Sequence, residues 1–205
     1  MALLKNFFSK YEFRRKTVHF VLGILFVIFI NLDHYLLKEQ LELILCVTLI
    51  LALCLSIYTR YKRPLLILRF LYLFDKPKDL RKFPGKGAVY YLIGVLISIA
   101  LFDRNVASAS ILILAVGDPM AHIISRYYGK RKIIINNKKL LEGTLAGTLF
   151  GTIAASFFVP WDIAFFGAAF GMMAEAVELE LFNLDDNFFI PFVSGLVMTV
   201  IKSLL

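Results

Sequence analysis

An aspartate stands in the middle of a long apolar stretch of this sequence. Asp118 follows Gly117 and precedes Pro119, and an ionisable residue inside such a stretch is costly unless it serves a function. Because Pro119 disfavours the helical conformation of the residue before it, we expect the helix to break at Asp118 and to free backbone carbonyls there. Carboxylate and carbonyl oxygens bind hard cations such as Mg²⁺. The sequence therefore predicts Asp118 as a metal ligand.

A second group of carboxylates lies between residues 175 and 187. Glu175 and Glu178 are three positions apart and share one face of a helix, and Asp185 and Asp186 follow shortly after them. Neighbouring carboxylates raise each other's proton affinity unless a cation or a basic group compensates. A Mg²⁺ ion that bridges these carboxylates to nucleotide phosphates would supply that compensation. The other interpretation is a solvated acidic loop that pairs with basic neighbours.

Basic residues ahead of the first apolar run are spaced to hold a phosphate. Lys16 and His19 fall on one helical face with Glu12, and Arg15 faces the same way as His19. Charge-assisted hydrogen bonds from such a cluster would bind phosphate oxygens. The simpler interpretation is a basic anchor at the membrane surface, with the Arg and Lys side chains extended toward the headgroups.

Two further motifs combine glycine with charge. Lys86 precedes Gly87 in a Gly-Lys-Gly turn, which would expose backbone N–H groups beside an ammonium at the start of a helix. The spacing of a P-loop is absent. Lys139 and Glu142 precede Gly143, the first of three glycines at four-residue intervals. That glycine spacing predicts close helix packing.

The elements that must position these residues are membrane-spanning helices. Of the 205 residues, 60% are hydrophobic, against about 45–50% in an average soluble domain, and the excess lies in blocks. The blocks predict one all-α domain over residues 1–205, a polytopic membrane helix bundle. We expect seven spans, at 17–32, 41–58, 87–102, 106–125, 143–159, 162–178 and 188–204. The run 64–74 is too short to span and carries Arg69, so it predicts an interfacial or re-entrant helix.

Positive charge is distributed unevenly between the two sides of such a bundle. Of the 23 Lys and Arg residues, 20 lie in segments 1–16, 60–86 and 126–139, which seven spans place on one side. The positive-inside rule then puts the N-terminus and these segments in the cytoplasm. The net charge of +8 would suggest nucleic acid in a soluble protein, but here it indicates lipid headgroups and phosphates. The acidic connection 178–187 falls on the same side, which favours a metal site beside an anion site.

Taken in order, these motifs resemble those of the CTP-dependent polyprenol, dolichol, phytol and diacylglycerol kinases, a family distantly similar to phosphatidate cytidylyltransferases. The resemblance covers nearly the whole chain. The matching residues are Glu12, Arg15, Lys16, His19, Gly85, Gly87, Ala88, Gly117, Asp118, Ala121, Gly129, Lys139, Glu142, Gly143, Glu175, Glu178, Asp185, Asp186, Asn187 and Pro191. Ser125 and Leu140 depart from the family pattern, which usually has Gly and then Ser or Thr at these positions, so neither is assigned to the site.

The resemblance implies a lipid kinase with CTP as phosphate donor, Mg²⁺ as metal and a lipid alcohol as acceptor. It implies catalytic roles for Asp118, Glu178 and Lys139. The implied metal ligands are Asp118, Glu142, Glu175, Glu178, Asp185 and Asp186. The implied nucleotide contacts are Arg15, Lys16, His19, Lys86, Gly87, Gly129, Lys139, Glu142, Gly143 and Asn187. The general base is Asp118, Glu178 or His122. The acceptor is a polyprenol or dolichol, a phytol or geranylgeraniol, or a diacylglycerol.

Because CTP is too highly charged to enter lipid, the active site is expected to face the cytoplasm. A CDP-lipid synthase is the alternative function, since it would use the same nucleotide, metal and membrane face. A transporter fits less well, because transporters place charges near the bilayer midplane, whereas these charges lie near one end of the spans.

Overall fold

The computed structural model describes residues 2–32, 38–75, 77–133, 136, 139–177 and 185–205, with the side chains of the first helix placed from Glu12 onward. Across these ranges the chain is helical, and its one extended pairing is an isolated antiparallel bridge between Lys132 and Leu140. The predicted all-α class is therefore confirmed.

The helices follow the predicted apolar runs closely. They are α1 (Ala2–Asn31), α2 (Lys38–Lys62), α3 (Leu65–Leu71), α4 (Pro77–Lys82), α5 (Lys86–Leu101), α6 (Arg104–Leu112), a π-helical segment (Ile113–Gly117), α7 (Asp118–Tyr128), α8 (Leu141–Ala155), α9 (Trp161–Val177) and α10 (Asp186–Leu204). Each predicted span falls on one helix, except that the fourth is shared by α6, the π-helical segment and α7.

Within the part of the chain that the structure describes, three helical stretches are long and apolar enough to cross a membrane. They are Lys38–Lys62, Arg104–Tyr128 and Asp186–Leu204. The chain is thus a membrane protein. Helices α8 and α9 have 15 and 17 residues, and at about 1.5 Å per residue each is shorter than a hydrocarbon core of about 30 Å. The count of seven spans and the orientation of the N-terminus stay predictions.

The run 64–74 contains α3, which is seven residues long and therefore too short to span. Leu66 and Phe70 of this helix are exposed, as an interfacial helix requires. Its location at the membrane surface stays a prediction.

The expected helix break at Asp118 is wrong. Asp118 has φ −63° and ψ −46°, which are helical, and the chain passes from α6 to α7 through the π-helical segment Ile113–Gly117. Pro119 has no N–H for the preceding turn, and a proline is tolerated in the first turn of a helix. A single wide π turn accommodates this missing bond without ending the helix, and such turns are frequent at functional sites.

Close packing around this segment fixes the position of Asp118. The stretch from Val106 to Ala115 is almost completely buried and forms the centre of the bundle. Gly147 of α8 packs against the backbone of Gly117, and a Cβ at Gly147 would lie 3.0 Å from the Gly117 carbonyl oxygen. The predicted packing role of the α8 glycines is therefore confirmed, and it places the first turn of α7 beside Gly147 of α8.

Candidate active site

Three carboxylates from three helices meet at one end of the bundle. Asp118 begins α7, Glu175 lies in the last turn of α9, and Asp186 begins α10. One oxygen atom from each lies within 4.8 Å of the other two. Asp118 is 1% exposed and Glu175 is 8% exposed. The bundle therefore brings together three of the six predicted metal ligands, although they are up to 68 residues apart in the sequence.

Two lysines neutralise part of this negative charge. Lys16 of α1 forms an ion pair with Asp118, and the Lys139 Nζ lies 2.6 Å from Glu175 Oε1 and 3.7 Å from Asp186 Oδ2. Burial alone would lower the pKa of Lys139, but Glu175 and Asp186 outweigh that effect and hold its pKa above the usual range. Lys139 is therefore a permanent cation at the site.

The donor set suits a hard divalent cation. All three ligand groups are carboxylates, which Mg²⁺ prefers. Among the described residues, Asp118 Oδ1 is buried without a hydrogen-bond partner, and a buried oxygen of this kind calls for a ligand or an ion. Asp118, Glu175 and Asp186 are the residues that would hold such an ion.

The carboxylates line a polar cavity of about 700 Å³. Arg15 and Lys16 of α1, Lys139, and Thr144 of α8 also line it. His122 lies on its wall, with Nε2 at 3.4 Å from Glu12 Oε2. Positive and negative groups thus surround one space that is open to a charged ligand. Glu12 and Thr144 were not predicted as site residues.

Glu142 is not part of the carboxylate cluster. Its side chain accepts hydrogen bonds from the N–H groups of Lys130 and Arg131, with N–O distances of 3.1 Å. Its own backbone N–H, together with those of Lys130 and Arg131, holds the pKa of Glu142 below its usual range. Glu142 therefore ties the loop after α7 to the start of α8, and its predicted role as a metal ligand has no geometric support.

Asp185 and Asn187 hold the start of α10 rather than the cluster. Asp185 is the N-cap and accepts from the Asn187 N–H at 3.3 Å. The buried Asn187 side chain donates to the Gly87 carbonyl at 3.2 Å and so links α10 to α5. These bonds position Asp186, the residue between them, beside Lys139.

Gly129 and Gly143 serve close packing. A Cβ at Gly143 would meet the Ala121 carbonyl at 2.6 Å, and one at Gly129 would meet the Ser125 backbone. Gly143 therefore lets α8 pack against α7, and Gly129 lets the loop that follows α7 pack against the end of that helix. Direct nucleotide contacts through them stay predictions.

His19 and Lys86 lie away from the polar cavity. His19 lines a neighbouring apolar cavity, with its ring 4.8 Å from that of Tyr91. The Lys86 Nζ lies 5.4 Å from the centre of the Tyr90 ring, a cation–π distance. Gly87 lines the apolar cavity as well. Glu178, predicted both as a catalytic residue and as a metal ligand, lies outside the described residues.

Sequence reasoning missed Asp75. This carboxylate is buried and accepts from the Gly85 N–H at 2.5 Å. Gly85 has φ +78°, a left-handed conformation that glycine adopts readily. Asp75 thus fixes the Gly-Lys-Gly turn before α5. The sequence did contain an indication of Asp75, because this acidic residue precedes Lys76 and Pro77 within a segment rich in basic residues.

Fold and site together define a helical membrane protein with a polar, charge-lined cavity at one end of its bundle. No family model and no solved structure matches the chain. An uncharacterised protein of Methanocaldococcus jannaschii is 31% identical over 191 residues, which cover 91% of this chain and 92% of that protein.

Two relatives of named activity match a shorter part. The CTP-dependent diacylglycerol kinase 1 of Saccharomyces cerevisiae is 27% identical over 141 residues, which cover 56% of this chain and 48% of the yeast protein. Probable phytol kinase 2 of Oryza sativa is 29% identical over 131 residues, which cover 57% of this chain and 43% of the rice protein. The chain thus spans about half the length of these kinases. It belongs to the family of CTP-dependent lipid kinases.

Proposed function

We propose that this protein transfers the γ-phosphate of CTP to the hydroxyl group of a membrane lipid alcohol. The observation that carries this proposal is the cluster of Asp118, Glu175 and Asp186, which pairs with Lys16 and Lys139 in the wall of one polar cavity. Phosphoryl transfer needs positioning and charge stabilisation more than covalent chemistry. A cavity with opposed carboxylates and ammonium groups supplies both.

Each charged group has a distinct part in this proposal. Arg15, Lys16 and Lys139 bind the triphosphate oxygens and offset their charge as the bond to the leaving CDP breaks. The three carboxylates are oriented toward a common point, where Mg²⁺ would be held. When bound, Mg²⁺ would neutralise the phosphate oxygens and bridge them to the protein.

The acceptor hydroxyl must lose its proton during transfer. Asp118 and His122, two of the three predicted bases, both line the polar cavity. Asp118 already pairs with Lys16, whereas His122 Nε2 lies 3.4 Å from Glu12 Oε2 and has no hydrogen-bond partner among the described residues. His122 therefore has the better geometry for the proton acceptor.

The proposal includes a topology of seven spans, with the N-terminus and the site in the cytoplasm. The cluster lies at the helix ends that join the basic segments 1–16 and 126–139. At the opposite ends of α6 and α10, Asp103 and Lys202 form an exposed ion pair of 3.0 Å. The positive-inside bias supports this orientation.

The position of a label in the product separates the kinase from the CDP-lipid synthase. Sealed inside-out membrane vesicles receive Mg²⁺, CTP labelled at the α or the γ phosphorus, and a panel of phytol, polyprenol and diacylglycerol. We expect γ-label in the lipid and α-label only in released CDP. Right-side-out vesicles serve as the control and should incorporate label only after permeabilisation. Retention of α-label in a CDP-lipid would contradict the kinase proposal, and labelling in intact right-side-out vesicles would contradict the topology.

A further inference from the structure

A second cavity adjoins the polar one. It is open to its surroundings and comprises about 1060 Å³ of space between α1, α2, α3 and α5. Apolar side chains, among them Leu22, Phe26, Phe74 and Leu92, form most of its wall. Neither the sequence motifs nor the phosphate chemistry of the polar cavity accounts for a space of this size with such a lining.

One end of this cavity is polar. Arg15, His19 and Asp75 line it there, together with Gly85 and Gly87. His19 is 5% exposed, and its Nδ1 has no hydrogen-bond partner among the described residues. Buried nitrogen atoms of this kind are nearly always satisfied, by an ordered water or a ligand where the protein supplies no partner. The end of the cavity is therefore suited to a single hydroxyl group.

The two cavities are connected through α1. Arg15 lines both of them, and Lys16, the next residue, pairs with Asp118 in the carboxylate cluster. A chain that occupied the apolar cavity would thus present its polar end beside the groups that hold phosphate.

We propose that the apolar cavity binds the hydrocarbon chain of the lipid alcohol, with its hydroxyl group directed toward Arg15 and His19. This proposal rests on the proposed function. A chain taken from the bilayer gains little by hydrophobic burial, because lipid tails are as apolar as the cavity wall. Selection must therefore come from the shape of the cavity and from hydrogen bonds to the hydroxyl. Phytol and diacylglycerol both join a free hydroxyl to hydrocarbon, phytol at the end of one isoprenoid chain and diacylglycerol on a glycerol that carries two acyl chains.

A smaller apolar cavity of about 710 Å³ lies on the other side of α1 and is the competing location. Lys16 and His122 reach it, so a lipid bound there would also bring its hydroxyl near the proposed base, and substitutions that fill each cavity distinguish the two. Thr17 lines this smaller cavity, whereas its neighbour Val18 lines the larger one. These adjacent residues of one helix offer a matched pair of substitutions.

The first experiment fills each cavity in turn. Val18→Trp and Thr17→Trp place the same indole at the same depth on opposite sides of α1. We expect Val18→Trp to lower kcat/KM for the lipid alcohol at least about tenfold and to leave the KM for CTP within about twofold. Thr17→Trp should change neither the kcat/KM for the lipid alcohol nor the KM for CTP by more than about twofold. Ala88→Phe enters the larger cavity from α5, where Ala88 is exposed, and should repeat the Val18→Trp result. A loss of kcat/KM for the lipid alcohol in Thr17→Trp but not in Val18→Trp would overturn the proposal.

The second experiment needs no phosphate transfer, so it stays informative if the proposed function fails. Diazirine-bearing analogues of phytol and of diacylglycerol are photolysed with the full-length protein in vesicles. We expect adducts on α1 and α5 peptides that contain Leu22 and Leu92, and their loss in Val18→Trp but not in Thr17→Trp. Whichever analogue reacts identifies the chain that the cavity takes. Adducts confined to Met120 and Ile123, or no adduct on α1 and α5 with either analogue, would refute the assignment.

Discussion

At the residue scale, the site consists of carboxylates that would repel one another without their lysines. Lys139 reaches both Glu175 and Asp186, and Lys16 reaches Asp118. Removing one partner of a buried pair leaves an uncompensated charge, which is more costly than removing both. In the proposed function the same lysines also meet phosphate oxygens, and substitution can separate that proposed role from their structural one.

Lys139→Met should abolish lipid phosphorylation and lower the free energy of unfolding by about 2 kcal/mol, because Glu175 loses its closest cation. Adding Glu175→Gln to Lys139→Met should recover most of the stability but none of the activity. Thermal unfolding in detergent and label transfer from CTP measure the two effects. Full activity in the double variant would show that Lys139 serves only to neutralise Glu175.

Asp75 gives the fold a pH dependence. Burial raises its pKa to about 6 from 3.8, and Asp79 and Asp185 act in the same direction, while the hydrogen bond from Gly85 and the charge of Arg15 oppose it. Because the folded-state pKa is the higher one, the folded protein binds more protons between about pH 4 and pH 6. The contribution of Asp75 to stability is therefore lost as pH rises through this window.

Asp75→Asn keeps an oxygen acceptor for the Gly85 N–H but cannot ionise. We expect the variant to be more stable than the unsubstituted protein at pH 7.5 by about 1–2 kcal/mol, and equal to it near pH 4. Unfolding temperatures measured across this range test the difference. A variant less stable at pH 7.5 would show that the ionised carboxylate is stabilised by Arg15.

The sequence offers physical reasons for some site predictions and no sign of other contacts. Asp118 was predicted because a carboxylate in an apolar helix is costly without a function, and Glu175 because it shares a helical face with Glu178. The pattern gives no sign that the N–H groups of Lys130 and Arg131 fold back onto Glu142. Asp75 was overlooked because its partner Gly85 lies in a turn whose geometry only the tertiary structure defines.

At the element scale, the site depends on how closely α7 and α8 approach. Hydrophobic runs and small-residue spacing predicted the helices and the glycine face of α8, because both follow from side-chain size and polarity. The π-helical segment before Asp118 was not predictable, since it results from fitting Pro119 into a continuous helix packed on all sides. Such a widened turn depends on tertiary contacts that local sequence does not encode.

Gly147→Val should separate α8 from α7, because a Cβ there already lies 3.0 Å from the Gly117 carbonyl oxygen and 3.0 Å from Ala121 Cβ. We expect a loss of roughly 1–3 kcal/mol of stability, as for other overpacked sites, and a larger loss of activity as the cavity walls move apart. Leu145→Val, on the exposed face of the same helix, is the control and should change neither stability nor activity by much. Unaltered transfer in Gly147→Val would argue that helix spacing does not set the site geometry.

At the scale of the whole molecule, charge is segregated between the two ends of the bundle. One end carries the buried carboxylates, the lysines and the basic segments, whereas Asp103 and Lys202 form an exposed pair at the other. Two apolar cavities open beside α1 at the charged end. In the proposed function, this arrangement would let a charged nucleotide approach from water while a lipid approaches from the bilayer, which is what a lipid kinase must achieve.

The central claim is that Asp118 belongs to the phosphate-transfer site, and one substitution tests it directly. Asp118→Asn keeps the size of the side chain and removes its charge, and Asp103→Asn makes the same change at the N-cap of α6, away from the carboxylate cluster. With γ-labelled CTP, Mg²⁺ and the preferred lipid, we expect Asp118→Asn to lose at least about 100-fold in label transfer and Asp103→Asn to stay within about twofold. Near-normal transfer by a folded, monodisperse Asp118→Asn protein would contradict the account.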